Sequence, residues 1–70
     1  MNKPLLIKFG KRVREERLKR GLSQEGLAEL ARVHRTYVGM IERGEKNITL
    51  TNIEKFSKAL GLKPSDLTNI

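Results

Sequence analysis

Ser23, His34 and Asp66 are the most obvious side chains of this 70-residue chain for a nucleophilic triad. The chemistry would be acyl transfer, with the imidazole as base. Position gives two of them a simpler use. Ser23 and His34 each stand just before a helical segment, where such side chains cap free backbone N–H groups. There is no Cys and no second His, so no other nucleophile or base of that kind is on offer. A zinc ion would find one imidazole and otherwise only carboxylates, a poor donor set. No catalytic residue, metal or cofactor is expected, no small-molecule ligand is evident, and the chain does not read as an enzyme. The plentiful chemistry is cationic. Lys and Arg number 15 against 8 Asp and Glu, giving a net charge of +7. Such an excess on a small domain attracts polyanions through counterion release. Aromatic residues are only 4%, too few for a platform that stacks single-stranded bases.

The elements that would position these cations are helices. Gly21, Gly44 and Gly61 each follow a helical stretch, as a left-handed C-terminal glycine does. Leu22 and Leu62 come next, where a Schellman motif places an apolar residue. Ser23 then reads as an N-cap and Pro64 as a first-turn proline. Five helices are expected, over about 6–20, 24–32, 34–43, 50–60 and 64–69. No stretch alternates with the period of a strand. The fold class is all-α, with residues 1–70 as a single domain. No apolar run approaches the length of a membrane span, and Leu5, Leu6, Ile7 and Phe9, broken by Lys8, are too short for a signal-peptide core. A cytoplasmic location is expected.

Leu6, Phe9 and Val13 form the apolar stripe of the first helix. The next position on that stripe is Arg17, so the pattern breaks there. Lys8 to Arg20 holds seven Lys or Arg beside Glu15 and Glu16. Such a run reads first as a solvated face. Residues 23–44 read SQEGLAELARVHRTYVGMIERG. Leu27, Ala28 and Ala31 make one apolar edge, then Val33 marks a bend, followed by Val38 and Ile41. Two short helices meeting at a small residue describe a helix-turn-helix. With Val38 inward, steps of about 100° also turn Glu42 inward. Thr36, Gly39, Met40 and Arg43 then point sideways or outward, with a small gap at Gly39. Arg35 stands at the exposed start.

Ser23, Gln24, Glu25, Leu27, Ala28, Ala31, Val33, Val38, Ile41, Glu42 and Gly44 resemble the Xre family of bacterial and phage repressors, which includes the lambda-type repressors and Cro. The likeness runs from about Phe9 to Leu67. His34-Arg35-Thr36-Tyr37, Glu42-Arg43-Gly44 and Asn47-Ile48-Thr49 look like the controller proteins of restriction–modification systems. The resemblance implies a five-helix, lambda-repressor-like domain that binds a double-stranded DNA operator and regulates transcription. It implies phosphate contacts from Gln24 and His34, and base contacts from Arg35 and Thr36. Tyr37, Arg43, Lys46 and Asn47 would touch backbone or neighbouring bases. Arg35 also fits on chemistry, since its fork can bond guanine O6 and N7 together. His34 as a plain cap, Tyr37 as a packing residue and Met40 as a filler remain open. Two residues depart from the family pattern. Gly26 stands where Glu is common, which weakens a capping box. Arg32 stands where Gly is common, which strains the turn or changes its geometry.

A second reading is an antitoxin-type interaction module that also binds DNA; a toxin gene beside its own would favour it. Regulators of the first kind usually act as homodimers, so that two helices reach successive major-groove turns. Leu50, Leu62, Leu67 and Ile70 are the candidate dimer residues, unless they close the small core. Arg17 and Glu42 are expected to pair between the first and third helices.

Overall fold

Pro4 sits in the first turn of the first helix, where a missing N–H removes no intrahelical bond. In the computed structural model, which describes residues 3–70, α1 spans Lys3–Lys19. It starts three residues before the position that the apolar stripe indicates. The others are α2 (Gln24–Ala31), α3 (Arg35–Glu42), α4 (Leu50–Ala59) and α5 (Pro64–Thr68). Their ends fall within one residue of those expected. Among the described residues there is no strand, and no helix is long and apolar enough to cross a membrane.

Side chains and backbone close these helix ends as their residue types require. Ser23 Oγ accepts from the Gly26 N–H at 2.9 Å, and Thr49 Oγ1 from the Asn52 N–H at 3.1 Å. Gly26 offers no carboxylate in return, so the capping box at α2 is half made. After α1 and α4, the Leu22 and Leu62 N–H groups return to the Arg17 and Ser57 carbonyls at 3.1 and 2.8 Å. Arg32 is the exception to glycine at such ends. It adopts the left-handed conformation, with φ 59°, so the turn keeps its geometry and carries the strain. Arg32→Gly should therefore raise stability by about 0.5–1 kcal/mol. A urea midpoint that falls on this substitution would refute the strain.

Phe9, Val13, Leu27, Val38, Ile41, Ile53, Phe56 and Leu60 meet in one core. Leu67 is 0% exposed and belongs to it, which corrects its assignment to a dimer surface. A five-residue helix with one leucine must spend that leucine on closing the fold. Leu62 is half-buried against the same core, so little of it is left for a partner. Gly10 lets α1 lie directly on the end of α3. A Cβ there would run into the Ile41 and Glu42 carbonyl oxygens. A mid-helix glycine is destabilising by roughly 0.5–1 kcal/mol relative to alanine, so its use marks a close backbone approach.

The basic run of α1 is not wholly a solvated face. Glu16 is buried, and its carboxylate takes Arg12, Lys19 at 3.1 Å and Arg20 at 2.8 Å. Hydrogen bonds from Arg20, then from Lys19, hold its pKa down at about 2, against an ordinary 4.5. A depressed carboxylate stabilises the fold above its unfolded pKa. That contribution is lost as pH falls from about 5 toward 2. The full shift would be worth roughly 3 kcal/mol, but the cationic partners all reach solvent and screening reduces this to about 1 kcal/mol. Thermal melts between pH 6 and 2 should thus show a steeper loss for the parent chain than for Glu16→Gln. Parallel curves would remove the claim.

Candidate nucleic-acid interface

The exposed start of α3 is built by a histidine cap. His34 Nδ1 accepts the Thr36 N–H at 3.1 Å. With Nδ1 accepting, Nε2 is the ring nitrogen left to donate. This places Arg35 and Thr36 in the first turn, both exposed. Val38 and Ile41 pin the opposite side of the helix in the core.

Gln24, Arg35, Thr36, Gly39 and Arg43 line one shallow cleft, with Ser23, Glu25 and the edge of Arg17. Gly39 is buried rather than open. Arg43, one turn on, and Gln24, reaching over from α2, close across it because it has no side chain of its own. Met40 is half-buried. His34 borders a separate depression with Glu25, Glu29 and Val33. Lys46 and Asn47 are exposed in the loop past Gly44, outside the cleft. Tyr37 is half-buried. Its ring stacks on Phe56 with centroids 6.0 Å apart, and its hydroxyl accepts from Asn52 Nδ2 at 3.0 Å. That packing leaves the phenolic proton available as a donor.

Beneath the cleft, Arg17 Nε and Nη2 donate to Glu42 Oε2 and Oε1 at 2.6 and 3.0 Å. The two side chains are 9% and 4% exposed. Arg17 Nη1 also donates to the Leu22 carbonyl at 2.8 Å, and Gln24 Nε2 to Glu42 Oε1 at 3.1 Å. The pair joins α1, the α1–α2 turn, α2 and α3, so the cleft has a charged, hydrogen-bonded floor.

The rim is mixed in sign. Glu25 lies 3.7 Å from Arg35 Nη1, both well exposed. Glu45 accepts from Arg43 Nε at 2.8 Å. That bond is the main cause of a lowered Glu45 pKa and a raised Arg43 pKa. Residue types alone did not single out Glu45, Asn52 or Gly10. Only Gly10 carried a signal, as a glycine inside a helical run. Among the described residues no group of three or more His, Cys, Asp or Glu is placed to hold a metal ion.

Leu50 is 85% exposed and borders a groove with Thr51, Glu54, Pro64, Ser65 and Thr68. Ile70, at 46%, lines a different groove with Lys8, Lys11, Arg12 and Glu15. The four residues expected at a dimer surface therefore do not form one patch.

Two short helices meeting at Ala28, the second with an exposed, arginine-bearing start, define a helix-turn-helix. The sequence profile described as helix-turn-helix matches residues 13–67, and the chain belongs to that family. More particularly, it is similar to restriction–modification control proteins. It is 52% identical over 68 residues to control protein C.BamHI of Bacillus amyloliquefaciens, covering 96% of this chain and 84% of that one. It is 42% identical over 62 residues to control protein C.MunI of Mycoplasma sp, covering 87% and 84%. The crystal structure of the restriction–modification controller protein C.AhdI from Aeromonas hydrophila matches with a TM-score of 0.87 at 52% identity, covering 89% of this chain and 94% of that one. The resemblance drawn from residues 23–49 thus extends over nearly the whole chain.

Proposed function

We propose that this chain acts as a single helix-turn-helix domain that binds double-stranded DNA sequence-specifically and regulates transcription as a restriction–modification controller. It works in the cytoplasm by binding, not by catalysis. The observation that carries this reading is the start of α3, with Arg35 and Thr36 exposed while Val38 and Ile41 hold the helix from behind. A helix so mounted enters the major groove by its N-terminal residues. Arg35 reads guanine with its fork and Thr36 bonds a neighbouring base edge. Gln24, the His34 Nε2 proton and the Tyr37 hydroxyl donate to phosphates, and Lys46 and Asn47 hold the backbone beside the loop. Selection from a random-sequence duplex pool tests this: the retained pool should show a defined motif. Retention without any enriched sequence would leave only general polyanion binding.

One such helix reads few base pairs, so the working unit is a two-fold homodimer with recognition helices about 34 Å apart. The groove around Leu50 is the surface that best supports it, because so exposed a leucine beside a groove between helices is apolar area left uncovered. Leu50→Asp should shift the sedimentation coefficient from dimer to monomer and weaken binding to a two-half-site duplex. A parent chain that sediments as a monomer at micromolar concentration, with and without DNA, would remove the dimer.

A further inference from the structure

Two arginines face the proposed DNA surface, and each has a carboxylate beside it, but the two pairs differ in which nitrogen is taken. Glu25 approaches an end nitrogen of Arg35, Nη1, at 3.7 Å. End-on pairing to a guanine edge uses both end nitrogens, and in that geometry Glu25 must let go when DNA arrives. Glu45 takes Nε of Arg43 at 2.8 Å. That leaves the Nη1/Nη2 end of Arg43 free. The same end lies across Gly39, where an added Cβ would sit 3.0 Å from Nη1.

Glu45 is itself firmly held. Gly44 takes φ 71°, its N–H bonds the Ile41 carbonyl at 3.1 Å, and the Glu45 N–H bonds the Met40 carbonyl at 2.9 Å. Gly44 also lies against Ile7 of α1, where a Cβ would come within 2.8 Å of Ile7 Cγ1. The loop cannot slide without opening the α1–α3 contact. The acid thus stands on a fixed backbone, and the planar guanidinium it holds by Nε turns its Nη1 end across Gly39.

We propose that Glu45 is a positioning residue: it holds the Nε edge of Arg43 so that the free end of the guanidinium bonds a guanine edge across Gly39. This rests on the DNA-binding reading above. In water the pair does little, because both side chains are more than half exposed. Under a bound duplex the local dielectric falls and the same bond strengthens. A carboxylate with no such role only repels phosphate and weakens every duplex. The two roles therefore predict opposite signs.

The test uses the full chain, a duplex enriched from a random pool by the unaltered chain, and a random duplex of equal length. Glu45→Ala should weaken the enriched duplex by about fivefold, although it deletes a negative charge. Glu45→Gln keeps an oxygen acceptor for Nε and should bind within about twofold of the parent. In an Arg43→Ala background the sign should reverse, with Glu45→Ala strengthening binding by about twofold. A pool selected with Arg43→Ala should lose a guanine preference at one position of each half-site. If Glu45→Ala strengthens binding or leaves it unchanged in both backgrounds, Glu45 positions nothing. If Arg43→Ala lowers affinity equally on both duplexes and enriches the same motif, the contact is to phosphate and the guanine assignment falls. If the unaltered chain enriches no motif, the DNA-reading function itself fails and this role falls with it. Glu45 is exposed, so a thermal melt matching the parent shows that each variant is folded.

Discussion

Glu42→Ala should destabilise the domain by about 3–5 kcal/mol, because it strands the buried Arg17 guanidinium without its counter-charge. Whole-domain stability at this size is roughly 4–10 kcal/mol, so the variant should be close to unfolding at room temperature. The pair is not the cause of the stability, however. Burying both charges already cost desolvation, and the mutual attraction only offsets it. Replacing both at once, Arg17→Met with Glu42→Leu, should therefore recover most of the loss. Urea midpoints of the two single variants and the double variant form the cycle. A Glu42→Ala midpoint equal to the parent would show that the guanidinium finds water instead. The double variant carries a second consequence. Glu42 also takes the Gln24 amide at 3.1 Å, so a stable but weakly binding double variant would place the value of the pair in the cleft floor.

Arg17 shows what was legible and why. The apolar stripe of α1 breaks at that residue, and the break is chemistry: the helix keeps its inward direction and puts a charge there that Glu42 meets. Helix ends were legible because glycine, Ser23 and Pro64 act through local backbone geometry, which depends on near neighbours only. Surface assignments were less so. Leu67 and Ile70 look alike in a sequence, yet one fills the core and the other reaches a groove, since a five-residue helix has too few positions to reveal its inward side. Glu16 was hidden in its basic run. Its burial arises from Arg12, Arg20 and Lys19 folding over it at helical spacings, which a charge count reads only as solvated. Gly39 looked like a gap. Its lack of a side chain invited Arg43 and Gln24 to close over it, and that depends on the crossing of two helices rather than on either alone.

Arg35→Ala should cost roughly 1–3 kcal/mol on an enriched duplex and much less on a random one. Lys46→Ala should weaken both duplexes similarly and lower the salt slope by about one unit per half-site. The difference follows from where each residue stands. Arg35 sits in the first turn of α3, on a helix pinned behind by Val38 and Ile41, with only the weak contact to Glu25 to break. Its fork can therefore meet a base edge in a set direction. Lys46 lies beyond Gly44 in the loop, exposed; with α3 in the groove as proposed, the chain there would run beside the backbone. A point charge there meets any phosphate equally well, whatever the sequence. Binding of both variants to both duplexes across a salt series separates the terms. Equal losses for Arg35→Ala on the two duplexes would turn that residue into one more phosphate contact. The discriminating role would then have to pass to Thr36 or to Arg43, the remaining donors on the same face of α3.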